Sequence, residues 1–73
     1  MNFIIPLNKI EEALSKGLYG VLREAILISD DTLTKGGKVI IEKQTGTVPE
    51  VIQIFEKKED MIKWFETFAG FNK

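Results

Sequence analysis

Val21-Leu22-Arg23-Glu24-Ala25-Ile26-Leu27-Ile28 decides the fold, because it reads in two ways. As a helix it extends an apolar stripe spaced by threes and fours through Leu7, Ile10, Leu14, Leu18, Val21, Ala25 and Ile28. As a strand, Ile26-Leu27-Ile28 suits a buried β segment. Leu, Arg, Glu and Ala all favour helix, so helix is the primary expectation. On that reading the chain is α+β. It has an N-terminal helical segment, an antiparallel hairpin with strands at about 38–45 and 50–56, and a C-terminal amphipathic helix at about 58–69. The strand reading gives instead an α-β-β-β-α meander with residues 21–28 as its first strand.

Upstream, Asn8 with Glu11 three residues on has the form of a capping box, and Gly17 is placed to end that first helix. Phe3-Ile4-Ile5, closed by Pro6, is a short strand or a packed arm. Downstream, Ser29-Asp30-Asp31-Thr32-Leu33-Thr34-Lys35-Gly36-Gly37 has the composition of a loop. The hairpin strands centre on Val39-Ile40-Ile41 and on Val51 to Phe55, with Thr45-Gly46-Thr47-Val48-Pro49 as the turn region. Period two places Val39 and Ile41 on one face of the first strand, and Ile52 and Ile54 on one face of the second. Glu59 and Asp60 suit a helix N-terminus. Met61, Trp64, Phe65, Phe68 and Ala69 then form an i, i+3, i+4, i+7, i+8 stripe. Gly70 is placed to end it, with Phe71 folding back on Phe65.

Seventy-three residues make one small domain, 1–73. The chain holds no cysteine and no histidine. It therefore lacks thiolate nucleophiles, disulfides, zinc–thiolate sites and the usual general base near neutral pH. Ten basic residues face eleven acidic ones, for a net charge of −1. The two signs also balance within residues 1–28 and within 51–73, so there is no charged tail. That distribution disfavours a nucleic-acid partner, whose domains advertise a basic field. No stretch resembles a secretory signal or a transmembrane helix, so a soluble cytoplasmic chain is expected.

Motifs that would carry chemistry fail on their details. Gly36-Gly37-Lys38 suggests a phosphate loop, but Thr32 stands where a glycine is needed and Val39 where a magnesium-binding hydroxyl is needed. Asp31, Gly36 and Glu42 match three places of a calcium loop, yet Leu33 and Lys35 occupy two ligand places. Ser15 and Lys16 are neighbours that do not face each other on a helix. Glu11 and Glu12 read as a solvated face. Asp30 with Asp31 would need a third acid in a pocket to support catalysis. No catalytic residue, metal site or cofactor is expected, and the chain is read as a non-enzyme.

Gly17-Leu18-Tyr19-Gly20 is a GxxG set between two helices. With the order strand, helix, GxxG, helix, strand, strand, helix, the chain resembles a type I KH domain, a single-stranded nucleic-acid binder. The resemblance implies that Gly17 and Gly20 let phosphates approach, and that Ile10, Leu14, Val21 and Leu22 line a base groove. Leu18 and Tyr19 depart from it, standing where polar or basic residues are usual.

Trp64, Phe65, Phe68 and Phe71 fall within an arc of about 120° at 100° per residue. A hairpin and short helices offer little area to cover four large rings, so this cluster is the expected interaction interface. Lys38, Lys43, Lys57, Lys58 and Lys63 form a modest basic strip beside it, interleaved with acids. The leading functional expectation is a small non-catalytic protein-interaction module. It would be a homodimer that binds or inhibits a larger protein, in the style of a phage or mobile-element accessory protein. Single-stranded nucleic-acid binding, through the KH-like GxxG loop or through a sheet face, is the alternative.

Overall fold

A computed structural model describes residues 1–70 of the chain. Strand β1 (Asn2–Pro6) leads directly into helix α1 (Leu7–Lys16), followed by α2 (Tyr19–Thr34), β2 (Lys38–Thr45), β3 (Val48–Phe55) and α3 (Lys58–Ala69). The three strands form one mixed sheet in the order β1-β2-β3. β1 runs parallel to β2, and β2 pairs antiparallel with β3 as a hairpin. The fold is thus α+β, and residues 21–28 are helix throughout; the meander alternative does not form.

The face of α2 that packs is not the expected stripe, because Val21 and Ile28 are exposed. Leu22 sits in the core, with Ala25 and Ile26 packed against it. The helix also runs six residues beyond Ile28, through a segment whose composition suggests a loop. Two buried hydroxyls account for this. Ser29 Oγ donates to the Ala25 carbonyl at 2.7 Å, and Thr32 Oγ1 donates to the Ile28 carbonyl at 2.8 Å. Both side chains therefore enter the interior without an unsatisfied polar group. Termination falls to the glycine pair. Gly36 takes a left-handed φ of 86°, its N–H bonds to the Leu33 carbonyl, and Gly37 N–H bonds to the Thr32 carbonyl. This pattern of closing bonds is the Schellman arrangement.

The two ends of α1 are built differently. Gly17 ends α1 at φ 68°, with Leu18 N–H bonded to the Ala13 carbonyl at 2.8 Å, as its position in the sequence predicts. Asn8 does not cap α1. The helix begins at Leu7 after Pro6, with no side-chain cap bond. Leu7 is buried, and the fixed φ of Pro6 turns the chain straight from strand into helix.

The core lies between one face of the sheet and the three helices. Ile5, Val39, Ile41 and Phe55 come from the sheet, and Leu7, Ile10, Ala13, Leu22, Met61 and Phe65 from the helices. Each fully buried large side chain contributes about 1.5–3 kcal/mol relative to exposure. Lys58 Nζ lies 3.4 Å from Asp30 Oδ1, tying the start of α3 to α2.

Candidate functional site

The sheet has two unlike faces. In register, Phe3, Val39 and Phe55 are neighbours on the covered face. One residue along, Ile4, Ile40 and Ile54 form a row on the reverse face. No helix packs over that row: Ile4 is 50% exposed, Ile54 is 55% exposed and Ile40 is half-buried. The ion pair between Lys38 Nζ and Glu56 Oε2, at 3.2 Å, lies beside the row, and Glu42 follows on its other side along β2. An apolar centre with a charged margin is the general anatomy of a protein interface.

A register irregularity shapes this face. Ile41 pairs with Gln53, but Glu42 pairs with Val51, so Ile52 is an extra residue in β3. Ile52 and Ile54 are both exposed, and the irregularity falls just beyond them. The bulge interrupts the alternation, and Val51 joins the open face beyond Ile54.

At the free edge of β1 lies a groove of about 230 Å³. Ile4 and Ile5 form part of its floor, and Val21, Ala25 and Ile28 of α2 form a wall. Lys9 of α1 and Glu24 of α2 also line it. Val21 and Ile28 are both exposed despite their apolar character.

The aromatic residues of α3 divide. Phe65 is 1% exposed and belongs to the core. Trp64 meets Phe65 edge-on at 5.2 Å and Phe55 at a tilt at 6.0 Å. Phe68 stacks on Trp64 with centroids 4.7 Å apart and planes 6° from parallel, and it is 40% exposed. Phe71 lies outside the described residues. The structure thus brings Trp64, Phe65 and Phe68 together as one ring cluster whose outer member is Phe68.

The GxxG set forms a tight joint between helices. Gly17 closes α1, Leu18 precedes α2, and Tyr19 and Gly20 are already helical. Leu18 and Tyr19 are exposed. Of the residues that the KH resemblance implies for a base groove, Ile10, Val21 and Leu22 line the β1-edge groove, although Ile10 and Leu22 are core residues; Leu14 is not among its lining.

Asp30, Asp31 and Glu12 are each engaged in an ion pair. Asp31 Oδ2 lies 3.2 Å from Lys35 Nζ, and Asp30 faces Lys58. Glu12 accepts a hydrogen bond from Lys16 at 2.9 Å, which with the lysine's charge holds its carboxyl below the usual glutamate range. Ser15 Oγ donates to the Glu12 carbonyl. Among the described residues, no three acids gather as a metal-binding group. No helix among them is long and apolar enough to cross a membrane.

The open face and the groove are the features that sequence reading missed. Ile4, Ile40 and Ile54 carried a signal, since each stands at the strand parity opposite a core residue. Their alignment into one row depends on the pairing of three strands. Comparison with protein-family models gives no match, and comparisons with curated proteins and with solved structures give no significant match.

Proposed function

We propose that this chain is a small, non-catalytic protein-binding module that docks on a larger protein and acts as a homodimer in the cytoplasm. One observation carries the reading: the Ile4–Ile40–Ile54 row on a sheet face that no helix covers. Exposed apolar surface of this kind, rimmed by charge, loses water favourably when a partner covers it. Trp64 and Phe68 offer a second, smaller contact, because a stacked aromatic pair is large and already ordered.

Tagged wild-type chain and its Ile54→Lys variant, cross-linked in cell extract, test the reading. A defined protein captured by the wild type and lost from the folded variant supports it. Identical capture profiles for the two would overturn the sheet face as the docking surface.

Single-stranded nucleic-acid binding is kept as a second reading. It is favoured by Ile10, Val21 and Leu22 meeting in one groove that adjoins the GxxG joint. Lys9 and Glu24 leave that groove without net charge, which removes the electrostatic share of such binding. Fluorescence anisotropy with mixed single-stranded oligonucleotides at low salt decides it: salt-sensitive binding supports this reading, and a flat titration ends it.

A further inference from the structure

We propose that a second copy of this chain docks along the β1 edge. The two β1 strands pair antiparallel about a two-fold axis, and the α2 helices of both copies close over the junction. The proposal rests on the homodimer reading above and assigns it the β1 edge, which shares Ile4 with the open face but not Ile40 or Ile54.

The argument begins with the edge. β1 pairs with β2 on one side, and among the described residues no strand pairs with its other side. Its sequence, Asn-Phe-Ile-Ile-Pro, carries no charge, and no bulge interrupts its register with β2. Protected edges usually carry such devices; here only the proline at the strand's end serves. An unprotected apolar edge is a template for strand addition.

The second part is the helix beside it. Val21, Ala25 and Ile28 of α2 follow one another at helical spacing along the wall of the same groove, and Val21 and Ile28 are about half exposed. An occupant must therefore supply a strand for the edge and an apolar helix stripe for the wall. This same surface on another copy supplies both. A two-fold axis places the two strands together and the two stripes together, as an isologous contact requires.

Charge completes the match. Lys9 on α1 and Glu24 on α2 line the groove, and neither forms a salt bridge within 4.0 Å among the described residues, Lys9 acting on Glu12 only as a more distant charge. A surface with one charge of each sign is self-complementary under two-fold symmetry. Lys9 of each copy meets Glu24 of the other. A lone extended peptide would fill the edge but leave the stripe uncovered.

Sedimentation equilibrium of the full chain reads the outcome, with circular dichroism confirming that each variant is folded. The wild type is expected to sediment at twice its 8.3 kDa mass. Val21→Glu, Lys9→Glu and Glu24→Lys should each weaken the dimer at least tenfold, whereas Ile54→Lys leaves it intact. The double exchange Lys9→Glu with Glu24→Lys should restore dimerisation, which general surface damage would not do. Slower amide exchange in residues 3–5 as concentration rises would give independent support.

A wild type that stays monomeric at about 1 mM, where even weak pairs associate, overturns the proposal. So does a dimer lost in Ile54→Lys but indifferent to Val21→Glu and to the charge changes; that result would place self-association on the open face and leave the homodimer reading standing. A monomer that instead captures an added extended peptide at the β1 edge also overturns it.

Discussion

Gly37 lies against the backbone of Met1: a methyl group on its Cα would overlap the Met1 carbonyl oxygen and press on the Thr32 side chain. The same carbonyl accepts a hydrogen bond from Lys38 N–H at 3.3 Å, where β1 and β2 begin side by side. The glycine pair that suggested a phosphate loop thus serves the fold. Gly36 turns the chain out of α2, and Gly37 lets β2 enter beside the start of β1.

Gly37→Ala should therefore destabilise the domain by about 1–3 kcal/mol, the usual range for forcing extra volume into a packed site. Urea denaturation followed by circular dichroism would measure it. An unchanged midpoint would mean that the start of β1 shifts freely to make room.

The two glycines of the GxxG set should respond in opposite directions. Gly17 holds a left-handed φ of 68°, so Gly17→Ala should cost about 1–2 kcal/mol. Gly20 is helical, has no positive φ, and has open space where a Cβ would stand. Gly20→Ala should stabilise by about 0.5–1 kcal/mol. Thermal melts of the two variants give the signs directly.

The ring cluster of α3 should show a steep gradient. Phe65→Ala opens the core and should cost about 3–5 kcal/mol. Phe68→Ala removes the exposed half of a stack and should cost only about 0.5–1.5 kcal/mol. Loss of that stack should also change the fluorescence of Trp64 without unfolding the chain. Equal costs for the two variants would contradict the division between buried and outer rings.

Glu12 should titrate below the ordinary glutamate value, because Lys16 both donates to its carboxylate and lies beside it as a positive charge. A depressed folded value means that the pair supports folding above the unfolded pKa. That support disappears as pH falls through the folded value. The side chain is fully exposed, so the effect on stability is small and screened by salt. Carboxyl-carbon NMR should show the Glu12 titration rising toward the normal range in Lys16→Gln and in about 1 M salt.

The legible parts of the fold were those set by neighbouring residues. Met61, Trp64, Phe65 and Phe68 repeat at helical spacing over a short span, and α3 follows from them. The hairpin follows from two β-rich runs flanking Gly46. Residues 29–34 misled because Ser, Asp and Thr are common in loops; here two of them are buried and bonded back onto the helix. The open face was hidden for a different reason. Ile54 alternates with Phe55, but whether it meets a helix or solvent depends on its partner Ile40 and on Ile4 beyond, and the bulge at Ile52 resets the alternation further along.

What the sequence by itself determined is α1, the hairpin and α3, and the chemistry the chain lacks. Helix and hairpin signals act over a few residues, and the missing histidine and cysteine are visible without a fold. Tertiary structure alone decided that β1 lies parallel to β2 and that helices cover only one sheet face. It also decided that Ile4, Ile40 and Ile54 align on the face that no helix covers while Phe65 is enclosed. Those outcomes depend on pairing between residues distant in the chain, as between Ile4 and Ile40. The choice of face is made by the helices that pack there, which no local spacing specifies.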